Sequence, residues 1–129
     1  MKTYVYICET QINGKEKEMK EVKEISRAEE MMLLAIWRLR DKAYGVSIRR
    51  QIRKDTGKDY TYGTLYGLLR QMVHKGYIRK FLGDPLPQKG GRSKTYFILT
   101  PSGIRALKDT ITLHRRMWKD IDEFSFDEP

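Results

Sequence analysis

Thr61-Tyr62-Gly63-Thr64-Leu65-Tyr66-Gly67-Leu68-Leu69-Arg70-Gln71-Met72-Val73-His74-Lys75-Gly76 is the stretch whose reading decides the fold. Wound as a helix, it places Leu65, Leu68, Leu69 and Met72 at the 3/4 spacing that lines one buried face. Tyr62, Tyr66 and Arg70 recur every fourth residue and form a second stripe elsewhere on the surface. Thr61 has the chemistry of an N-cap and Gly76 that of a C-terminal stop. One face packs. The other carries phenols and a guanidinium, with Gly63 and Gly67 leaving room for a surface to come close.

The segment before it reads as a second, shorter helix from about Tyr44 to Lys54. Ile48 and Ile52 are one turn apart there, Arg49, Arg50 and Arg53 lie on other faces, and Thr56-Gly57 closes it. Two short helices joined by a tight connection give the order of a helix-turn-helix. After Gly76, Tyr77–Gly83 and Tyr96–Leu99 read as strands. Between them lies a Pro- and Gly-rich stretch tipped with Lys89, Arg92 and Lys94, so the pair is a β-hairpin with a long basic loop. A hairpin directly after such a helix is a wing, whose cations reach phosphates or the minor groove. A solvated hairpin tip explains each cation singly, but the run Gly90-Gly91-Arg92-Ser93-Lys94 less easily.

Farther out, Ser26-Arg27-Ala28-Glu29 is a capping box that opens a helix to about Arg40, apolar on nearly every side through its middle. Such a helix is the centre of a core, or a core helix with a subunit interface added. Thr100-Pro101 opens the last helix, with Pro at its first position. Ile104, Leu107, Ile111, His114, Trp118 and Ile121 are spaced 3, 4, 3, 4 and 3, the seam of a coiled coil with His114 as its polar, register-setting member. A small domain offers little core to a long terminal helix, so the seam is expected to meet a second copy. At the other end, residues 2–8 read as a strand. Lys15–Glu24 is a mixed-charge run that fits a short helix or a solvated arm.

Charge sharpens the picture. The chain has 129 residues and a net charge of +9, unevenly spread. Residues 1–25 hold five lysines against five glutamates, 26–83 thirteen basic against five acidic residues, 84–100 three against one, and 101–129 five against six. The excess therefore sits in one contiguous middle, as a phosphate-facing module requires. A basic soluble surface would give the same total without the same confinement.

Other classes find less support. Cys8 is the only cysteine, so neither an intrachain disulfide nor a cysteine-based zinc site is available. Met1–Thr10 has no signal-peptide pattern, and no apolar run approaches the roughly 20 residues of a membrane span. A soluble cytoplasmic protein is expected. His74 and His114 have no carboxylate in a matching motif. Phosphate loops, paired catalytic carboxylates and metal-ligand clusters are absent from the sequence, so neither enzyme chemistry, a cofactor nor a metal is expected.

Five strings occur in order: Ala43-Tyr44-Gly45, Gly63-Thr64-Leu65-Tyr66, Gly76-Tyr77-Ile78, Gly91-Arg92-Ser93-Lys94-Thr95-Tyr96 and Leu99-Thr100-Pro101-Ser102-Gly103. Together they resemble the PadR family of bacterial winged helix-turn-helix repressors over about Ile25 to Ile121, in the form with a single terminal helix. The resemblance implies a mostly α fold with a small β-hairpin. Its parts would be an extension (1–25), a winged helix domain (26–100), a dimerisation helix (101–123) and a mobile tail (124–129). It implies that Thr61–Gly76 enters the major groove of a palindrome-like operator, with Tyr62, Thr64 and Tyr66 near the contacting end and Arg70 on the same stripe. Arg49, Arg50, Lys89, Arg92 and Lys94 would touch the DNA backbone or minor groove, and the first and last helices would join a homodimer. Release by a small aromatic effector is a further implication. Trp37 and Trp118 are the side chains to place near its pocket, or else in the core. Two departures stand out: Gly67, where members often carry proline, and the long N-terminal segment. The alternative from another class is a dimeric winged-helix adaptor that binds protein alone.

Overall fold

The computed structural model describes residues 2–6, 19–83 and 93–127, with side chains from Glu24 onward. Helix α1 (Arg27–Leu39) follows the Ser26 capping box: Ser26 Oγ accepts from the Glu29 amide at 3.1 Å, and Glu29 Oε1 accepts from the Ser26 amide at 2.9 Å. A 3₁₀ turn, Arg40–Lys42, leads to α2 (Gly45–Thr56), then α3 (Tyr62–His74). Strands β3 (Ile78–Leu82) and β4 (Thr95–Leu99) pair antiparallel, Ile78 opposite Leu99 and Leu82 opposite Thr95. Helix α4 spans Pro101–Met117. The fold is mostly helical with a small hairpin after the third helix, as expected.

The core explains the helix assignments. Met32, Leu33, Ala35 and Ile36 of α1, Ile48 and Ile52 of α2, Leu65, Leu69 and Met72 of α3, and Ile78 and Phe97 of the hairpin form one buried cluster. The glycine stop of α3 is a Schellman motif. Tyr77 donates back to the Met72 carbonyl and Gly76 to that of Val73, both at 3.0 Å, with Gly76 at φ +82°. Glu29 is the one buried charged side chain of the described residues, and Lys75 at the end of α3 meets it at 2.6 Å. Burial pushes the Glu29 carboxyl up. The Lys75 hydrogen bond, the Ser26 amide and the Lys75 charge outweigh it and hold the group below its ordinary value.

The chain divides into two compact units, Ile25–Leu107 and Met1–Glu24 with Lys108–Pro129. In the second, β1 (Lys2–Tyr6) pairs antiparallel with β2 (Met19–Lys23), Tyr4 opposite Glu21. Met19–Lys23 is thus a strand, where a helix or arm was expected. A short mixed-charge run does not stabilise an isolated helix, whereas a neighbouring strand satisfies its backbone directly. Cys8 lies outside the described residues.

Two expectations for the C-terminus also change. Helix α4 stops at Met117, so Trp118 and Ile121 lie beyond it and the seam is helical only through His114. Asp120 adopts φ +61°, a left-handed geometry that a helix does not pass through. A 3₁₀ turn, Glu123–Phe126, capped by Asp122 Oδ1 accepting from the Phe124 and Ser125 amides, straddles the boundary expected between the dimerisation helix (101–123) and the mobile tail (124–129). Among the described residues no helix is long and apolar enough to cross a membrane.

Candidate nucleic-acid interface

Helix α3 starts where Thr61 Oγ1 accepts from the Thr64 amide at 3.2 Å and meets the Thr64 hydroxyl at 3.0 Å. This cap turns Tyr62, Thr64 and Tyr66 outward while Leu65 and Leu69 go to the core. Tyr62 and Tyr66 stay 41% and 39% exposed and stack on each other, ring centres 6.3 Å apart and planes 29° from parallel. Two exposed phenols so arranged form a flat, semi-rigid platform with polar tips.

Gly45 sits under the tip of the Tyr66 ring: a Cβ at position 45 would overlap the phenol, so any larger residue there would push the ring off the first turn of α2. The adjoining Tyr44 meets Tyr96 edge-on at 5.6 Å and carries the Lys94 ammonium 4.2 Å over its ring. Tyr96 also stacks on Phe81 at 5.7 Å, and the Phe97 amide donates to the Ala43 carbonyl at 2.8 Å. The backbone before α2 thus adds a third partner to the wing at the Tyr44–Tyr96 bridge. Residues about 20 and 50 positions apart in sequence converge at one end of α2.

Two open clefts flank the platform. One, about 420 Å³, is lined by Val46, Arg49, Arg50, Arg53, Lys54, Asp59 and Tyr62, with four cations to one carboxylate. The other, about 460 Å³, lies between α3 and the wing and includes Tyr66, Arg70, His74 and Lys80. Arg50, Arg53 and Lys54 are exposed and pair with no described carboxylate. Arg49 differs. Its Nε donates to the Tyr60 carbonyl at 2.6 Å, its Nη2 pairs with Asp59 at 3.0 Å, and its guanidinium lies 4.7 Å from the centre of the Tyr62 ring.

The expected DNA-facing residues therefore fall into three groups. Tyr62, Thr64, Tyr66 and Arg70 are together on the exposed part of α3. Arg50 and the half-buried Arg49 line the α2 cleft, and Lys94 sits at the root of the wing. Lys89 and Arg92 lie outside the described residues. Sequence reading missed Lys54, Lys80 and the supporting roles of Gly45 and Tyr96. The one-turn spacing of Arg49 and Arg53 was the available signal for the α2 cleft, whereas the Gly45–Tyr66 packing has no local signature.

Of the seam residues, Ile104, Leu107 and His114 are half-buried. Ile111 is 47% exposed, and Trp118 and Ile121 are exposed past the helix end. Both tryptophans are on the surface: Arg40 lies 3.7 Å over the Trp37 ring, and Phe126 meets Trp118 edge-on at 6.1 Å.

A profile of the transcriptional regulator PadR-like family matches residues 33–109. Solved structures with this fold include a PadR family transcription regulator from Clostridium difficile, 23% identical, with a TM-score of 0.60 over 74% of this chain and 93% of that one. A PadR-like regulator from Bacillus cereus is 19% identical, with a TM-score of 0.63 over 78% and 93% of the two chains. A transcriptional regulator from Clostridium thermocellum is 26% identical, with a TM-score of 0.58 over 74% and 90%. No curated protein matches significantly.

Proposed function

This chain belongs to the PadR-like family of transcriptional regulators, which are not enzymes, and on that premise we propose that it is a cytoplasmic repressor that binds a palindrome-like DNA operator as a homodimer. Helix α3 enters the major groove and presents Tyr62, Thr64, Tyr66 and Arg70 to base edges. Arg50, with Lys89, Arg92 and Lys94 of the wing, holds the phosphate backbone and fixes the register. Two copies joined through the α4 seam place their recognition helices about one DNA turn apart, roughly 34–36 Å.

The observation that carries this reading is the division of α3. Its apolar face is consumed by the core, while its exposed face bears a stacked tyrosine pair between two cation-lined clefts. An adaptor that binds only protein has no use for an excess of ten positive charges confined to residues 26–100. The test is a gel shift on the promoter of the protein's own operon, comparing wild type with the combined Tyr66→Ala, Arg92→Ala and Lys94→Ala variant. The wild type should bind, more weakly as salt rises, and the folded variant should not. Equal binding by both would reject the site. Salt-insensitive or absent binding to any duplex would favour the adaptor.

Release by a small aromatic effector completes the proposal. Exposed Trp37 and Trp118 make it measurable, since a phenolic ligand near either ring should quench tryptophan emission and weaken the shifted band together.

A further inference from the structure

Four cations line the cleft beside α2, and their surroundings divide them. Arg50, Arg53 and Lys54 are exposed and lack an ion partner among the described residues, whereas Arg49 is held at every angle the structure records. Asp59 balances its charge at 3.0 Å. The Tyr60 carbonyl takes its Nε–H at 2.6 Å, and the guanidinium carbon lies 4.7 Å from the centre of the Tyr62 ring. Asp59 and Tyr60 belong to the turn between α2 and α3, and Tyr62 is the first residue of α3. One side chain on α2 thus fixes both the path of the turn and the ring that opens the recognition helix.

We propose that Arg49 is a positioning residue for Tyr62 and not a phosphate ligand, and that Arg53 and Lys54 join Arg50 as the phosphate contacts of this cleft. The inference rests on the reading of α3 as the DNA-facing helix. A phosphate would have to compete with the partners Arg49 already holds. To reach a phosphate, Arg49 must give up a carboxylate and a half-buried carbonyl, and the charge-assisted bonds it makes are the stronger kind. Arg53 and Lys54 give up only water. Tyr62 is half-exposed and would otherwise sample several rotamers. The guanidinium below it and Tyr66 beside it leave the phenol pointing one way. Arginine can do this because its planar fork serves a carboxylate, a carbonyl and a ring face together, which a lysine ammonium does not.

Salt dependence separates the two roles, because a phosphate ligand releases counterions and a positioning residue does not. The probe is a 40-base-pair duplex selected by the wild-type protein from a random pool, compared with an unselected duplex at four potassium chloride concentrations. Arg53→Gln should weaken both duplexes and lower the slope of log affinity against log salt by about 1. Arg49→Gln should weaken the selected duplex roughly tenfold, leave the unselected one nearly unchanged and keep the wild-type slope. Arg49→Lys should not rescue it. In a Tyr62→Ala background, Arg49→Gln should cost nothing further.

Asp59→Asn tests the same clamp from its other end, should Arg49→Gln fail to fold. It should loosen discrimination while raising affinity for the unselected duplex, since it frees a cation. A slope reduced by Arg49→Gln as much as by Arg53→Gln, or full additivity with Tyr62→Ala, overturns the assignment. Wild-type binding that ignores salt on every duplex would reject the DNA-binding function itself, a result distinct from either.

Discussion

Helices α3 and α4 are both amphipathic, both open on a threonine cap, and treat their apolar faces in opposite ways. In α3, Leu65, Leu69 and Met72 are at most 1% exposed, and the chain itself supplies everything they touch. In α4 only Gly103 and Ala106 are buried, while Ile111 stays 47% exposed. A helix whose apolar face is already spent has a polar, aromatic face left for a ligand. A helix whose apolar face is unspent has a use for another protein surface. The same sequence pattern thus leaves two different exposed surfaces, and burial decides which.

The comparison breaks most visibly in the core. Leu69→Ala should cost about 3 kcal/mol in urea unfolding, because the site cannot collapse around the lost atoms. A cost near zero would mean that α3 is not anchored as described. The platform comes next. Gly45→Ala pushes the half-exposed Tyr66 ring aside and should cost about 1.5 kcal/mol, together with affinity for duplex DNA. Tyr66→Phe removes the colliding oxygen and should recover part of that stability in the double variant. Plain additivity would show that the clash lies elsewhere.

A smaller effect is expected where α3 is pinned to α1. Glu29 titrates below its ordinary value of 4.5 in the folded chain, so the unfolded chain binds the proton more readily. Its contribution is complete above pH 4.5 and disappears as pH falls through the depressed value. Glu29→Gln keeps the capping geometry but loses the charge. It should cost about 1 kcal/mol at neutral pH, since Lys75 is half-exposed and partly screened, and flatten the acid limb of the stability curve. The smallest effect belongs to the other helix. Ile111→Ala should change single-chain stability by less than about 0.5 kcal/mol. Ile111→Asp should still shift a dimer toward monomer in sedimentation. An unmoved oligomeric state would remove Ile111 from the seam.

What the sequence disclosed follows the range of the interaction responsible. Ser26, Thr61, Gly76 and Thr100-Pro101 act within one helical turn of themselves, and each marks a boundary where expected. The 3/4 spacing of α3 and the Ile48–Ile52 pair identified buried faces because a helix repeats its environment. The strand at Met19–Lys23 was illegible, since its partner lies about 20 residues upstream and the mixed charges show neither helical nor alternating period. The length of α4 was overestimated because seam spacing continued through Ile121, and spacing does not register a left-handed residue such as Asp120. At the site, composition marked Arg49 as a cation, but only the fold shows Asp59 and Tyr60 bent back upon it.

The junction between α3, the wing and α4 has a mechanical consequence. Thr100 donates through its amide to the Tyr77 carbonyl at 3.0 Å and through its hydroxyl to that of Gly76 at 2.6 Å. The same hydroxyl accepts from the Gly103 amide at 3.1 Å, and Gly103 itself lies so close to Tyr77 that a methyl would not fit between them. The first turn of α4 is therefore tied to Gly76 and Tyr77, the stop that ends α3. Any shift of that first turn must carry the Gly76–Tyr77 stop of α3 with it.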